Sequence, residues 1–126
     1  MDTDPITGGC YCGAIRFAAE GQARDSGNCH CSNCRRAVGA PSVAWITVPR
    51  PGFRYVQGEP RRFRTDTQAW RTFCGTCGTS LTFESDTRPG ELDITTGSLD
   101  HPEAFPPRED SFPEERVPWV PLVAPG

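Results

Sequence analysis

Apolar and polar residues alternate along this chain in short runs, each closed by glycine, proline or a group of charges. Residues 14–18 set Ile15 and Phe17 on one face of an extended segment, because successive strand side chains point to opposite sides. Similar β-prone runs cover 42–48, 53–56, 70–74, 79–83 and 91–95. The breaks between them, Pro51-Gly52, Gly58-Glu59-Pro60 and Arg88-Pro89-Gly90, carry turn chemistry, and this rhythm predicts antiparallel sheets. Helical turns are expected only at 32–38 and near 100–104, and neither segment has a long apolar stripe at 3.6-residue spacing. The predicted class is mostly β.

The pattern changes after residue 100. Residues 101–126 hold seven prolines and five carboxylates, so little regular structure is expected there. Yet Val117, Trp119, Val120, Leu122 and Val123 form an apolar group that is costly to leave in water. The expectation is an extended arm, beginning at about residue 101, that docks on the domain.

Length and composition narrow the picture. A chain of 126 residues reads as one domain, 1–126. Only 36% of its residues are hydrophobic, and 13 glycines and 13 prolines add turns rather than core. Such a chain has a limited core and gains from a metal staple. No apolar run approaches the ~18 residues of a membrane span. The acidic start, Met1-Asp2-Thr3-Asp4-Pro5, lacks the charged-then-apolar order of a secretion signal. A cytoplasmic location is therefore expected, where thiols stay reduced and clustered cysteines bind metal.

A net charge of −3 argues against a general nucleic-acid binder, despite the arginines and the aromatics Phe53, Tyr55, Phe63 and Trp70 between Arg50 and Arg71. All 13 basic residues are arginine, so lysine Schiff-base chemistry is excluded.

The seven cysteines fall into three clusters: Cys10 and Cys12; Cys29, Cys31 and Cys34; Cys74 and Cys77. Cys10 and Cys12, two apart, share one face if that segment is a bent strand. Cys74 and Cys77 have the Cys-x-x-Cys spacing of a metal turn, with Gly75 and Gly78 able to take positive φ. A tetrahedral zinc with Zn–S near 2.3 Å sets its sulfurs about 3.8 Å apart, within reach of both pairs. Two pairs of different spacing point to one closed four-sulfur site, the competing readings being a redox Cys-x-x-Cys or plain buried thiols.

Cys29, Cys31 and Cys34 can cap one face of a second ion and leave its fourth position open. His30 lies between two of them; it is either a fourth ligand or, since strand alternation turns it away, a surface or core histidine without chemistry. His101 reads as a turn residue.

Taken in order, Gly8-Gly9-Cys10-Tyr11-Cys12-Gly13, Cys29-His30-Cys31-Ser32-Asn33-Cys34-Arg35-Arg36, Phe73-Cys74-Gly75-Thr76-Cys77-Gly78 and Gly97-Ser98-Leu99-Asp100 resemble the glutathione-dependent formaldehyde-activating enzyme family, which shares its domain with centromere protein V. The resemblance runs from about residue 7 to 103. It implies a β-tent fold of antiparallel sheets, stabilised by zinc, with short helical turns. It assigns a structural zinc to Cys10, Cys12, Cys74 and Cys77, and a catalytic zinc to Cys29, Cys31 and Cys34. The implied activity is that of a carbon–sulfur lyase, joining glutathione and formaldehyde as S-hydroxymethylglutathione. The chain departs from the family at 105–112, where a histidine- and aromatic-containing strand is usual.

On that basis the expected substrates are a small thiol and an aldehyde. The thiol would ionise at the open site, and Arg35 and Arg36 would meet the carboxylates of a peptide thiol; Arg61, Arg62 and Arg64 are more distant choices. The rival expectation is a non-enzymatic zinc module that binds a protein or small ligand.

Overall fold

The computed structural model of the protein describes residues 4–123; of the acidic start, Met1, Asp2 and Thr3 lie outside the described residues. Strands β1 (Ile6–Gly9), β2 (Arg16–Ala19) and β5 (Phe53–Gln57) form a small antiparallel sheet in the order β1-β2-β5. A second, seven-stranded sheet runs β10-β3-β4-β9-β8-β7-β6. Its members are β3 (Asp25–Cys29), β4 (Val43–Pro49), β6 (Arg61–Arg64), β7 (Ala69–Phe73), β8 (Ser80–Ser85), β9 (Glu91–Thr95) and β10 (Glu109–Ser111). The expectation of a mostly β chain with antiparallel sheets and short helical turns holds, with one exception. The edge pair β10·β3 is parallel.

Strand alternation gives each face of the large sheet its role. Ile46 and Val48 of β4 and Leu92 and Ile94 of β9 point towards the small sheet, where they pack with Phe17, Ala19 and Phe53. The Phe17 and Phe53 rings lie 5.5 Å apart, and Tyr55 meets Phe53 edge-on at 5.0 Å. Each fully buried side chain of this kind contributes roughly 1.5–3 kcal/mol. In β8, Thr82 pairs with Thr72 but Ser80 pairs with Phe73, so Leu81 is the extra residue of a bulge. The bulge lets Leu81 and Thr82 both turn inward, and both are buried.

The opposite face carries a row of cross-strand neighbours. Asp25, Thr47, Asp93, Phe83 and Arg71 lie side by side across five strands, and Cys29 and Val43 continue the face at the other end. The helix α1 (Ser32–Val38) follows β3 and ends where Gly39 takes φ 76°, a left-handed conformation that glycine adopts without strain. Cys34 of this helix packs with Val43 and Trp45 in a second, smaller core.

The C-terminal arm is more ordered than its proline content predicts. It docks, as expected, but it does so through β10 and two one-turn 3-10 segments, Pro102–Ala104 and Pro113–Glu115. Val120 is buried and Val117, Leu122 and Val123 are half-buried, whereas Trp119 stays 73% exposed and takes no part in the docked cluster.

Candidate metal centres

Two hairpins bring Cys10, Cys12, Cys74 and Cys77 together. Cys10 and Cys12 sit in the connection between β1 and β2, not on a strand as their spacing suggests; the turn is closed by Gly13 N–H to Cys10 O and Cys10 N–H to Ile15 O. Cys74 and Cys77 occupy the β7–β8 turn, closed by Gly78 N–H to Cys74 O and Cys74 N–H to Thr79 O. Gly78 has φ 84°, as a turn of this spacing requires. Gly75 is needed for a different reason: a Cβ there would stand 2.7 Å from Cγ of Arg61.

All four sulfurs lie within 4.8 Å of one another. Cys10 and Cys12 are 3.6 Å apart and Cys12 and Cys74 3.8 Å apart. These separations match the ~3.8 Å edge of a tetrahedral four-thiolate zinc site. Backbone donors already face the sulfurs: Ile15 N–H to Cys10 Sγ at 3.2 Å, and Thr76 and Cys77 N–H to Cys74 Sγ at 3.4 Å. The Thr79 hydroxyl, 3.2 Å from Cys77 Sγ, and its backbone hold that thiol down at about 5. Amide and hydroxyl donors of this kind favour thiolates, which is what a metal binds.

The second cluster is built at the junction of β3 and α1. Cys29 ends the strand, Cys31 caps the helix, and Cys34 lies in its first turn. Cys31 Sγ accepts the Cys34 N–H at 3.3 Å and stands 3.4 Å from Cys29 Sγ. The three sulfurs also fall within 4.8 Å of one another. The hydrogen bond from Cys29 and the contact with the Arg71 guanidinium hold the Cys34 thiol down at about 5, and the same sharing pushes Cys29 up. The donor set fits a metal ion, and among the described residues no fourth cysteine, histidine or carboxylate joins it.

His30 is the core residue of the two readings open to it. Its side chain is wholly buried, and Nε2 lies 2.7 Å from Asp110 Oδ1 on β10 rather than beside the sulfurs. His101, as expected, sits exposed at a turn, 3.3 Å from Glu103.

The three-cysteine cluster opens on a cavity of about 450 Å³. Its walls include Trp45, Phe83, Arg71, Arg88, Asp93 and Phe112. Asp93 accepts the Thr47 hydroxyl at 2.7 Å and Arg88 Nη2 at 2.5 Å; its burial still outweighs those donors and raises its carboxyl. A second, larger cavity of about 880 Å³ adjoins the first, sharing Asn33, Trp45, Thr67 and Arg71. Arg36 lines this larger space and Arg35 lines neither. Arg64 lines the larger cavity too, where Asp86 holds it at 2.6 Å; Arg61 and Arg62 lie outside both.

Arg71, Arg88 and Asp93 were not legible as site residues from their spacing. One signal existed for Asp93, a carboxylate between Leu92 and Ile94 in an otherwise apolar run, where an unpaired charge is costly.

Comparison with known proteins agrees with this picture. The family described as glutathione-dependent formaldehyde-activating enzyme matches residues 5–115. A Schizosaccharomyces pombe protein described as an uncharacterized lyase is 30% identical over 76 residues, 60% of this chain and 55% of its own length. The match thus spans about half of that curated relative. The fold is similar to the crystal structure of a Rhodobacter sphaeroides protein, with a TM-score of 0.64 and 28% identity over 75% of this chain and 87% of the other. Among the described residues no helix is long and apolar enough to cross a membrane.

Proposed function

The chain belongs to the glutathione-dependent formaldehyde-activating enzyme family, and from that premise we propose that it is a zinc-dependent, carbon–sulfur lyase-type enzyme that adds a small thiol to an aldehyde such as formaldehyde. The observation that carries this reading is the three-sulfur cluster opening on a walled cavity, beside a separate four-sulfur cluster that is complete in itself. The second arrangement suits a structural zinc and the first a reactive one. When bound at Cys29, Cys31 and Cys34, zinc would supply a Lewis-acid position at which an incoming thiol loses its proton.

The rest is the work of the chain. The cavity walls Trp45 and Phe83 exclude water and hold thiol and aldehyde side by side, which removes much of the entropic cost of a two-body reaction. The thiolate sulfur attacks the carbonyl carbon, so a C–S bond forms as the C=O π pair moves to oxygen. The proton lost by the thiol ends on that oxygen, giving an S-hydroxymethyl adduct with no net redox change. Arg36, on the wall of the adjoining 880 Å³ cavity, would meet a carboxylate of a peptide thiol such as glutathione. Arg35, which lines neither cavity, is the weaker choice for that contact. A reduced, cytoplasmic setting suits seven unpaired cysteines.

The test is adduct formation followed by NMR with zinc-loaded protein, glutathione and formaldehyde, against Cys31→Ala as the background control. Acceleration by the parent and not by Cys31→Ala supports the reading. Equal rates, with no thiol-induced shift in melting temperature, would leave a non-enzymatic zinc module instead.

A further inference from the structure

Of the charged side chains around the three-cysteine cluster, one touches a sulfur. Arg71 Nη2 lies 3.6 Å from Cys34 Sγ, and its guanidinium sits 4.7 Å above the Phe83 ring. Arg64 and Arg88, which line the same two cavities, are each held by a carboxylate, Asp86 and Asp93. Arg71 has no carboxylate within ion-pair distance among the described residues. Its place on β7, opposite Phe83 in the ladder, aims it at the cysteine face of the sheet.

The four-cysteine cluster is treated differently. There the sulfurs meet backbone N–H groups and the Thr79 hydroxyl, and among the described residues no guanidinium hydrogen-bonds to them; Arg16, the one cation that bears on Cys10 through space, is itself held by both oxygens of Asp100. The two clusters therefore differ in charge environment as well as in sulfur count.

We infer that Arg71 is a positioning residue that tunes the three-cysteine centre through Cys34. The inference rests on the reading of that centre as a metal site. Three thiolates around a divalent ion leave a net negative charge, which weakens the ion as an acid and repels a fourth thiolate. A guanidinium hydrogen-bonded to one sulfur draws charge away from it and offsets part of that excess. Arginine suits the task because it stays charged and is weakly hydrated, and stacking on Phe83 fixes its plane. The complete four-sulfur centre takes no further ligand and has no use for such a cation.

Cobalt(II) in place of zinc reports on this directly through the thiolate-to-metal charge-transfer bands. Wild-type protein, Arg71→Met (which keeps the stem packing), Arg71→Gln (a donor without charge) and Arg71→Lys are compared, with Cys34→Ala marking the bands of the closed centre alone. Loss of the guanidinium should shift the bands of the three-cysteine centre to longer wavelength in Arg71→Met and weaken its cobalt affinity roughly 10- to 100-fold. Arg71→Lys should recover part of both and Arg71→Gln less. Two cobalt ions per chain with bands and affinity unchanged in all three variants would overturn the role of Arg71 while leaving the centre intact. One cobalt per chain in the wild-type protein would overturn the metal reading itself, and the inference with it.

Discussion

His30 Nε2 lies 2.7 Å from Asp110 Oδ1, so the residue between two cysteines of the reactive cluster is tied to the C-terminal arm. His30 N–H also bonds Ser111 O at 2.9 Å, and the other Asp110 oxygen accepts Val123 N–H at 2.8 Å. Two contacts thus join the ligand loop to a segment eighty residues later, and the third braces Asp110 within that segment. Asp110→Ala leaves the wholly buried imidazole without this partner, a loss of about 1–3 kcal/mol. Asp110→Asn keeps a hydrogen-bonding group and should lose less. Denaturant unfolding measures the two, and metal titration should show the three-cysteine site weakened before the four-cysteine one.

That contact also joins two segments whose residue types carry little strand signal. Runs rich in β-branched and aromatic residues, such as 42–48 and 91–95, were legible because their alternation shows in the residue types themselves. β3 reads Asp-Ser-Gly-Asn-Cys and β10 reads Glu-Asp-Ser, with almost no apolar signal; they are strands because their neighbours offer backbone partners. Gly27, which weakens any strand prediction, is what admits β10: a Cβ there would stand 2.9 Å from Glu109 O. The two cysteine groupings were legible because spacing constrains sulfur geometry. The wall residues Arg71 and Arg88 were not, since nothing local separates them from other strand arginines.

Removing one sulfur from each cluster should have unequal effects. Cys74→Ala opens the site that joins the β1–β2 and β7–β8 hairpins, and a structural zinc of this kind contributes on the order of 10 kcal/mol. That variant should be largely unfolded. Cys31→Ala should stay folded and lose one zinc per chain, since its site joins only β3 to the adjacent helix. Elemental analysis with thermal unfolding separates the cases, and equal destabilisation would refute the division between the centres.

Acid should loosen the joint between the small sheet and the segment after β9. Arg16 bonds both oxygens of Asp100 at 3.0 and 2.5 Å, Thr7 adds a hydroxyl at 2.7 Å, and these donors lower its carboxyl to about 2. A depressed carboxylate stabilises the fold fully above its unfolded value near 4, and loses that contribution as pH falls towards 2. Asp100→Asn should therefore melt below the parent at neutral pH, with the gap closing between about pH 4 and pH 2. The effect is small because both partners are about one-third exposed. Melting temperatures across this range, read on both proteins, check the convergence.

Phe112 is one of two non-glycine residues, with Gln68, that take positive φ among the described residues. It has φ 55° and ψ 51°, a left-handed conformation that costs an L-residue roughly 1–2 kcal/mol, and a proline follows it. Its ring is 52% exposed and lines the cavity beside the three cysteines, so little packing repays the strain. The segment is nonetheless pinned on both sides, by Ser111 O to His30 and by Glu115 Oε1 to Ser32 N–H at 3.0 Å. Strain held in place at a cavity wall predicts a role for the ring in the pocket. Phe112→Gly should raise stability by up to about 1 kcal/mol, the relieved strain outweighing the loss of a half-exposed ring. The same change should weaken binding of a small thiol to the metal-loaded protein, read by calorimetry. A variant that is more stable and binds thiol as tightly as the parent would remove any role for Phe112 in the pocket.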